Sequence, residues 1–302
     1  MPPVVNSSVL RPGNTTKPDP FTICLVANPA IEAPWESGQF IADAMPGDAA
    51  AFDAAVNYAV DCLFGALPGQ AERFLADPRL GPNIKVVSLR VTGLPVEDAN
   101  ALIGEAQMLE AVVPRRTQMA AFVRRFEIEA DVIFAISASL LYRRASAYAA
   151  TDDDASSGIP FVLDGVTKSH RHRSEIPGTI AMHQTTRSLT PLHEFGHALG
   201  SFTNGEITDL YSDSSPAVNC RRGRPIPNQF ATLDGHAFAS DHQRDGIGYP
   251  AHWQSFHCEL LDPGNPSVMD DYRQATHSVL DCQHDAITRR FLTDRLLAKV
   301  GR

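Results

Sequence analysis

The residues best suited to chemistry form one short segment, His193-Glu-Phe-Gly-His197, of the 302-residue chain. On a helix, two histidines four residues apart share one face, so both imidazoles can bind a single zinc ion. Glu194 stands beside the metal, where a general base can take a proton from the attacking water. The pattern predicts a catalytic zinc held by His193 and His197, with Glu194 as base. The alternative is a surface helix whose histidines bind no metal.

The flanking residues predict a helix of the length that this motif needs. Thr190 can cap its start, and Pro191 suits its first position. Gly200 can supply the left-handed turn that ends it. All 11 histidines of the chain lie at or after position 170. Histidine is the commonest metal ligand, so metal or acid–base chemistry is expected in the carboxyl-terminal half.

Upstream of the motif, apolar runs alternate with helical patterns. The runs predict buried strands, and the spacing and capping residues predict helices. We expect strands at 21–27, 84–91, 131–137, 159–164 and 178–184, and helices at 48–65, 95–112 and 114–129. Residues 1–20, rich in proline and polar side chains, predict a flexible tail. Together these elements indicate an α/β (α+β) fold in which a mixed sheet packs on helices.

Composition narrows the class of protein. The chain is 43% hydrophobic and 20% charged, as folded globular proteins are. Its formal charge of −9 repels phosphate, so no nucleic-acid partner is expected. No apolar run is long enough to span a membrane, so no membrane partner is expected either. The amino terminus lacks the basic and apolar regions of a signal peptide. The protein is therefore cytoplasmic, or secreted if a leader has been removed.

A methionine downstream of the motif gives a second signal. Met269 ends the segment Ser267-Val-Met269, in a stretch rich in proline and glycine. By itself, a methionine here indicates a residue that fills a gap in the core. Together with His-Glu-x-x-His-x-x-Gly, it resembles the methionine turn beneath the metal site of metzincin peptidases.

Over about residues 125–290 the chain resembles the immunoglobulin-A-peptidase type of zinc metallopeptidase, a metzincin-like family. The matching segments are His193–His197, Asp209-Leu-Tyr211, Ser267–Met269 and Cys282-Gln-His-Asp-Ala-Ile. The resemblance implies one catalytic Zn2+ and hydrolysis of peptide bonds in a peptide or protein substrate. It also implies a zincin subdomain at 21–201 that ends in the active-site helix. A loop-rich subdomain with the methionine turn and a terminal helix is expected at 202–302.

The third zinc ligand is expected in the segment after the helix. Metzincins carry theirs three residues after the glycine, where this chain has Thr203, a poor zinc ligand. The resembling family uses an aspartate soon after the second histidine, and Asp209 matches that context if an insertion lies around 201–206. Asp209 is therefore the predicted ligand. The alternatives are Glu206, Asp213 and a distant histidine such as His236.

The resemblance also suggests further site residues. Tyr272 follows Met269, one residue further on than the tyrosine that reaches zinc in some metzincins, and is a candidate to stabilise the oxyanion. Tyr211 and a cleft histidine are the alternatives. The segment 178–184 corresponds to the sheet-edge strand on which zincins dock an extended peptide. Cys258 and Cys282 flank the methionine turn and form either a disulfide or two buried thiols.

Two other functions fit the same residues. A zincin-fold hydrolase could act on a small amide or a cell-wall peptide, in a pocket shaped by the loop 201–213. A non-catalytic zincin-fold binding module is the other alternative. Glu194 argues against this module, because a structural zinc needs no general base.

Overall fold

A computed structural model describes residues 2–17, 19–151, 159–163, 166–170, 176–200, 267–269, 272–284 and 286–300. Within these ranges the helices are α1 (Ala49–Leu63), α2 (Arg116–Arg125), α3 (Thr190–Leu199) and α4 (Ala286–Val300). The strands are β1 (Val4–Pro12), β2 (Phe21–Ala27), β3 (Ala30–Glu32), β4 (Phe40–Ala42), β5 (Ile84–Thr92), β6 (Ala101–Ala106), β7 (Ala111–Pro114), β8 (Val132–Ser137), β9 (Ser146–Tyr148), β10 (Ile159–Leu163), β11 (Val166–His170) and β12 (Gly178–His183).

The main sheet has six strands in the order β1-β5-β2-β8-β12-β9. Its four inner strands are parallel, and the two outer strands run antiparallel to their neighbours. A second sheet has the order β4-β3-β6-β7, and β10 pairs with β11. This mixed sheet packed on helices confirms the predicted α/β class. No helix of the described ranges is long and apolar enough to cross a membrane.

Side-chain alternation along β2 explains why both faces of the main sheet are covered. Phe21, Ile23 and Leu25 pack into one core with apolar residues of α1, α3 and α4. Cys24 and Val26 face the opposite core, which α2, β6 and β7 complete. Inner parallel strands are buried on both faces and therefore have continuous apolar sequences. This is the pattern from which the strands were predicted.

The first predicted helix is confirmed and the second is wrong. The Asp48 side chain caps α1 by accepting a 2.9 Å hydrogen bond from the Ala51 N–H, and Gly65 follows the helix with φ +67°. Residues 95–112, predicted as a helix, contain β6, the first half of β7 and short 3-10 turns. Strand β6 pairs in parallel with β3. A β-carbon at Gly104 would lie 2.5 Å from Trp35 Cδ1. Tertiary pairing thus overrides the local pattern.

The third predicted helix, over 114–129, is confirmed in its central part. It forms α2 at Arg116–Arg125, and Glu127 leaves the helical region with φ +58°. The buried residues of α2 are Met119, Ala120, Phe122 and Val123.

The amino-terminal segment differs from the predicted flexible tail. Residues Val4–Pro12 form β1, which pairs antiparallel with β5 at the edge of the main sheet. The side chains of β1 are almost all exposed. Backbone hydrogen bonds rather than burial therefore hold this strand. A search for apolar periodicity cannot detect such an element.

The prediction that substrate adds to the segment 178–184 is wrong. Strand β12 is buried along its length and lies between β8, which is parallel, and β9, which is antiparallel. Its backbone groups are therefore paired on both sides where β9 covers it. Peptide addition requires an unpaired edge.

Gly178 allows β12 to approach the end of α3, and its replacement should separate the two elements. A β-carbon at this position would overlap the carbonyl oxygen of Ala198. Overpacking of this kind costs about 1–3 kcal/mol, so Gly178→Ala should lower the denaturation midpoint in urea accordingly. Gly47→Ala is the matched control, because nothing lies within 4 Å of its added carbon. Equal midpoints for the two variants would show that the contact carries no stability.

Candidate functional site

Helix α3 carries the predicted zinc motif into the interior. His193 and Glu194 are 5% and 7% exposed, whereas His197 is partly exposed. Leu189, rather than the predicted Thr190, occupies the N-cap position, and Pro191 lies in the first turn as expected. A helix of ten residues is marginal in isolation, so its packing on the sheet must stabilise it.

The two histidines present their ring nitrogens to each other. His193 Nε2 lies 3.2 Å from His197 Nε2, and the ring planes are 83° apart. Two imidazole nitrogens bound to one tetrahedral zinc at 2.0–2.1 Å are separated by about 3.3–3.4 Å. The observed separation therefore fits a shared zinc ion with little adjustment.

A hydrogen bond to the backbone fixes the tautomer of His193. Its Nδ1 lies 2.7 Å from the carbonyl oxygen of Val268. Because a carbonyl can only accept, the proton resides on Nδ1, and the Nε2 lone pair faces His197. Histidines that ligate metals almost always make such a bond through the other ring nitrogen. This carbonyl was not predicted, because a sequence does not reveal a backbone acceptor.

The methionine segment packs against the middle of α3. Val268 and Met269 are fully buried. A β-carbon at Gly196 would lie only 2.7 Å from Met269 Sδ and 3.2 Å from Met269 Cε. The glycine within the motif thus leaves room for the methionine, and the close approach brings Val268 within reach of His193.

Tyr272 supports the start of α3 in this structure. Its hydroxyl is hydrogen-bonded to Thr190 Oγ1 at 2.7 Å, and its ring centroid lies 5.7 Å from that of His193. Burial raises the pKa of Tyr272 above its ordinary value. The hydrogen bond with Thr190 acts in the opposite direction. The phenol is therefore neutral at ordinary pH, and its role toward an oxyanion stays a prediction.

The end of α3 differs from the predicted left-handed turn. Gly200 has φ −60° and ψ 177°, which is extended backbone. The buried side chain of Arg295, from α4, donates to the carbonyl oxygens of Leu199 and Gly200. A cation at a helix C-terminus satisfies the last carbonyls and complements the helix dipole. Arg295 therefore takes over the capping task that was expected of Gly200.

The structure brings together five of the residues that the sequence singled out: His193, Glu194, His197, Met269 and Tyr272. Asp209 lies outside the described residues, and so do Tyr211, Thr203, Glu206, Asp213, His236 and Cys258. Cys282 is buried, with Sγ 3.9 Å from the Tyr272 carbonyl oxygen. Its pairing with Cys258 stays a prediction. The described part of the chain contains no group of three or more His, Cys, Asp or Glu side chains that could hold a metal.

Gly196 and Met269 should be energetically coupled. Gly196→Ala alone forces the methionine away and should destabilise the fold by about 1–3 kcal/mol. In Gly196→Ala/Met269→Ala the added methyl group occupies part of the vacated space. The double variant should therefore be more stable than the sum of the single effects predicts, by about 0.5–3 kcal/mol. Chemical denaturation of all four proteins measures this coupling, and strict additivity would contradict the contact.

No protein-family model, curated protein or solved structure matches this chain. The function therefore has to be inferred from α3 and the residues that surround it.

Proposed function

We propose that this protein is a zinc-dependent hydrolase of metzincin-like fold that cleaves peptide bonds. The observation that carries the proposal is the 3.2 Å separation of His193 Nε2 and His197 Nε2. In the neutral ring, the 2.7 Å bond from His193 Nδ1 to the Val268 carbonyl leaves the Nε2 of His193 with a lone pair toward His197. The paired imidazoles therefore have the separation of metal ligands, and His193 has the tautomer of one.

The residue beside the histidines favours catalysis over a structural zinc. A structural site is usually closed by four protein ligands, whereas a catalytic site keeps one position for water or substrate. Glu194 is adjacent to a proposed ligand in sequence and is nearly buried. A carboxylate so close to a metal site, and not required as a ligand, suits a general base.

The proposed mechanism assigns proton transfer to Glu194. Zinc held by the two histidines would polarise the substrate carbonyl and lower the pKa of its bound water to about 7. Glu194 takes a proton from the attacking water as the water oxygen bonds to the carbonyl carbon. It then passes this proton to the leaving nitrogen as the C–N bond breaks. Water is thereby divided between the new carboxylate and the new amine.

The third ligand in this proposal is Asp209. Two histidines leave a catalytic zinc one protein ligand short of the usual three. Thr203 and Asn204 lack an anionic oxygen or an imidazole and would bind zinc weakly. Asp209 precedes Leu210 and Tyr211 in the context that resembles the family.

Replacing the base should separate binding from catalysis. Glu194→Gln keeps the size of the side chain but cannot accept a proton. It should retain zinc while peptide hydrolysis falls by about 10²- to 10⁴-fold. Metal analysis measures the zinc content. Turnover of a peptide library, compared with turnover of small amides, measures hydrolysis. Glu105→Gln is the control, because that buried carboxylate accepts a hydrogen bond from Ser139 elsewhere in the fold. Loss of zinc in Glu194→Gln would mean that Glu194 is structural and would contradict the mechanism.

The ligand assignment predicts that Asp209→Ala weakens zinc binding. The loss should be at least the 10–100-fold typical of removing a group that merely orients a ligand. Chelator competition gives the affinity, with Glu206→Ala and Asp213→Ala as matched controls from the same segment. Full zinc occupancy in Asp209→Ala, with loss in one of the two controls, would transfer the assignment to that carboxylate.

A further inference from the structure

We propose that Glu72 is a positioning residue for His193, acting on the metal ligand through the Gln283–His284 peptide group and Val268. The inference rests on the proposed function for the metal that His193 would bind. The hydrogen bonds that carry it exist in the protein without metal. Glu72 lies about 120 residues upstream of the motif, in the segment between α1 and β5.

Glu72 is fully buried and bonded on both carboxylate oxygens. Its Oε2 accepts from the His284 backbone N–H at 2.8 Å and lies 3.0 Å from His284 Nδ1. Its Oε1 accepts from Arg289 Nη1 at 2.8 Å. Burial alone would raise the pKa of Glu72, but the hydrogen bonds and charge of His284 and the charge of Arg289 lower it to about 2. Glu72 is therefore a carboxylate at neutral pH.

The next link is a single peptide group. The His284 N–H that donates to Glu72 and the Gln283 carbonyl belong to one plane. The peptide bond is rigid, so fixing the direction of the N–H also fixes that of the carbonyl on the opposite side. The Gln283 carbonyl accepts a hydrogen bond from the Val268 N–H at 3.0 Å. Glu72 thus orients the group to which Val268 is bonded.

The last link is Val268 itself, whose carbonyl accepts from His193 Nδ1–H at 2.7 Å. The contacts therefore run from a buried carboxylate, through the Gln283–His284 peptide group and the backbone of Val268, to the imidazole. The N–H and the carbonyl of Val268 belong to different peptide groups, so Glu72 acts on His193 through position. By anchoring the Val268 N–H it holds the Val268 carbonyl where Nδ1–H of His193 can donate to it, and loss of that acceptor removes the restraint that keeps the Nε2 lone pair toward His197.

The segment that carries Glu72 is itself held in place at two points. Gln70 Nε2 donates to the Cys62 carbonyl at the end of α1, at 2.7 Å. The Ala71 N–H donates to the Leu280 carbonyl at 2.8 Å. Glu72 is therefore anchored both to a core helix and to the carboxyl-terminal segment that it orients. These restraints define the direction of its bond to His284.

Glu32 provides a matched control. It too is buried and bonded on both oxygens, by the Gly38 backbone N–H at 2.9 Å and by Arg115 Nε at 2.9 Å. It belongs to β3 of the second sheet. Glu32→Gln therefore removes a comparable buried carboxylate without touching the chain of bonds to His193.

The experiment records the imidazole nitrogen resonances of the full chain without metal, together with zinc affinity by chelator competition. Wild type and Glu32→Gln should show His193 protonated on Nδ1. Glu72→Gln should shift this tautomer toward Nε2–H and weaken zinc binding by about 10- to 100-fold. Glu72→Asp keeps the charge on a shorter side chain and should give an intermediate effect. Glu72→Asp replaces Glu72→Gln in both measurements if Glu72→Gln does not fold.

The outcomes separate this inference from the proposed function. An unchanged His193 tautomer and an unchanged zinc affinity in a folded Glu72 variant would overturn the positioning role, even if its thermal stability fell. A wild-type chain that binds no zinc but shows the Glu72-dependent tautomer would support the positioning and contradict the proposed function. Equal changes of tautomer and zinc affinity in Glu32→Gln and Glu72→Gln would show that Glu72 stabilises the fold and does not position His193.

Discussion

The hydrogen bond from His193 Nδ1 to the Val268 carbonyl is the interaction on which the site depends. Without it, the imidazole proton could reside on Nε2, and the nitrogen that faces His197 would have no lone pair to offer a metal. The bond requires the segment 267–269 to lie directly against α3. A residue with no side chain, Gly196, permits this approach. The absence of a side chain at Gly196 is therefore needed for the hydrogen bond that places the proton of His193 on Nδ1.

Helix α3 brings polar groups into the core, and these groups need hydrogen-bond partners. A helix of ten residues that buries a histidine and a glutamate gains little from helix propensity, and burial of unpaired polar groups is costly. Residues outside the helix provide the hydrogen bonds that these groups need. Tyr272 bonds to its first turn, Arg295 caps its last carbonyls, and Val268 accepts from its central histidine. All three come from the carboxyl-terminal segment, which thereby acts as the support of the motif.

Local sequence signals predict those helices and strands whose own residues determine their conformation. The strands that build the parallel sheet and the capped helix α1 followed from periodicity and end signals. The motif helix α3 was placed correctly, although its predicted capping at Thr190 and Gly200 differs from the structure. The strands β1, β6 and β7 did not, because their conformation depends on pairing of β1 with β5, of β6 with β3 and of β7 with β6.

The candidate site divides in the same way. His193, Glu194 and His197 are recognisable from spacing within one helix, and Met269 from its resemblance to a known turn. Glu72 gives no signal, because a lone glutamate acquires a role only through contacts about 200 residues away in sequence. The Val268 carbonyl is invisible to side-chain patterns altogether. Gly200 was predicted to end α3 with a left-handed turn because the neighbouring sequence gives no sign of Arg295. Arg295 lies about 95 residues downstream and caps the last carbonyls of α3 instead.

Diffraction across the zinc absorption edge, from crystals grown with zinc, decides whether His193 and His197 share one zinc ion. A shared ion should give one anomalous peak about 2.0–2.1 Å from each Nε2 atom. An anomalous map with no peak between these nitrogens, and a direct hydrogen bond joining the two rings, would contradict it.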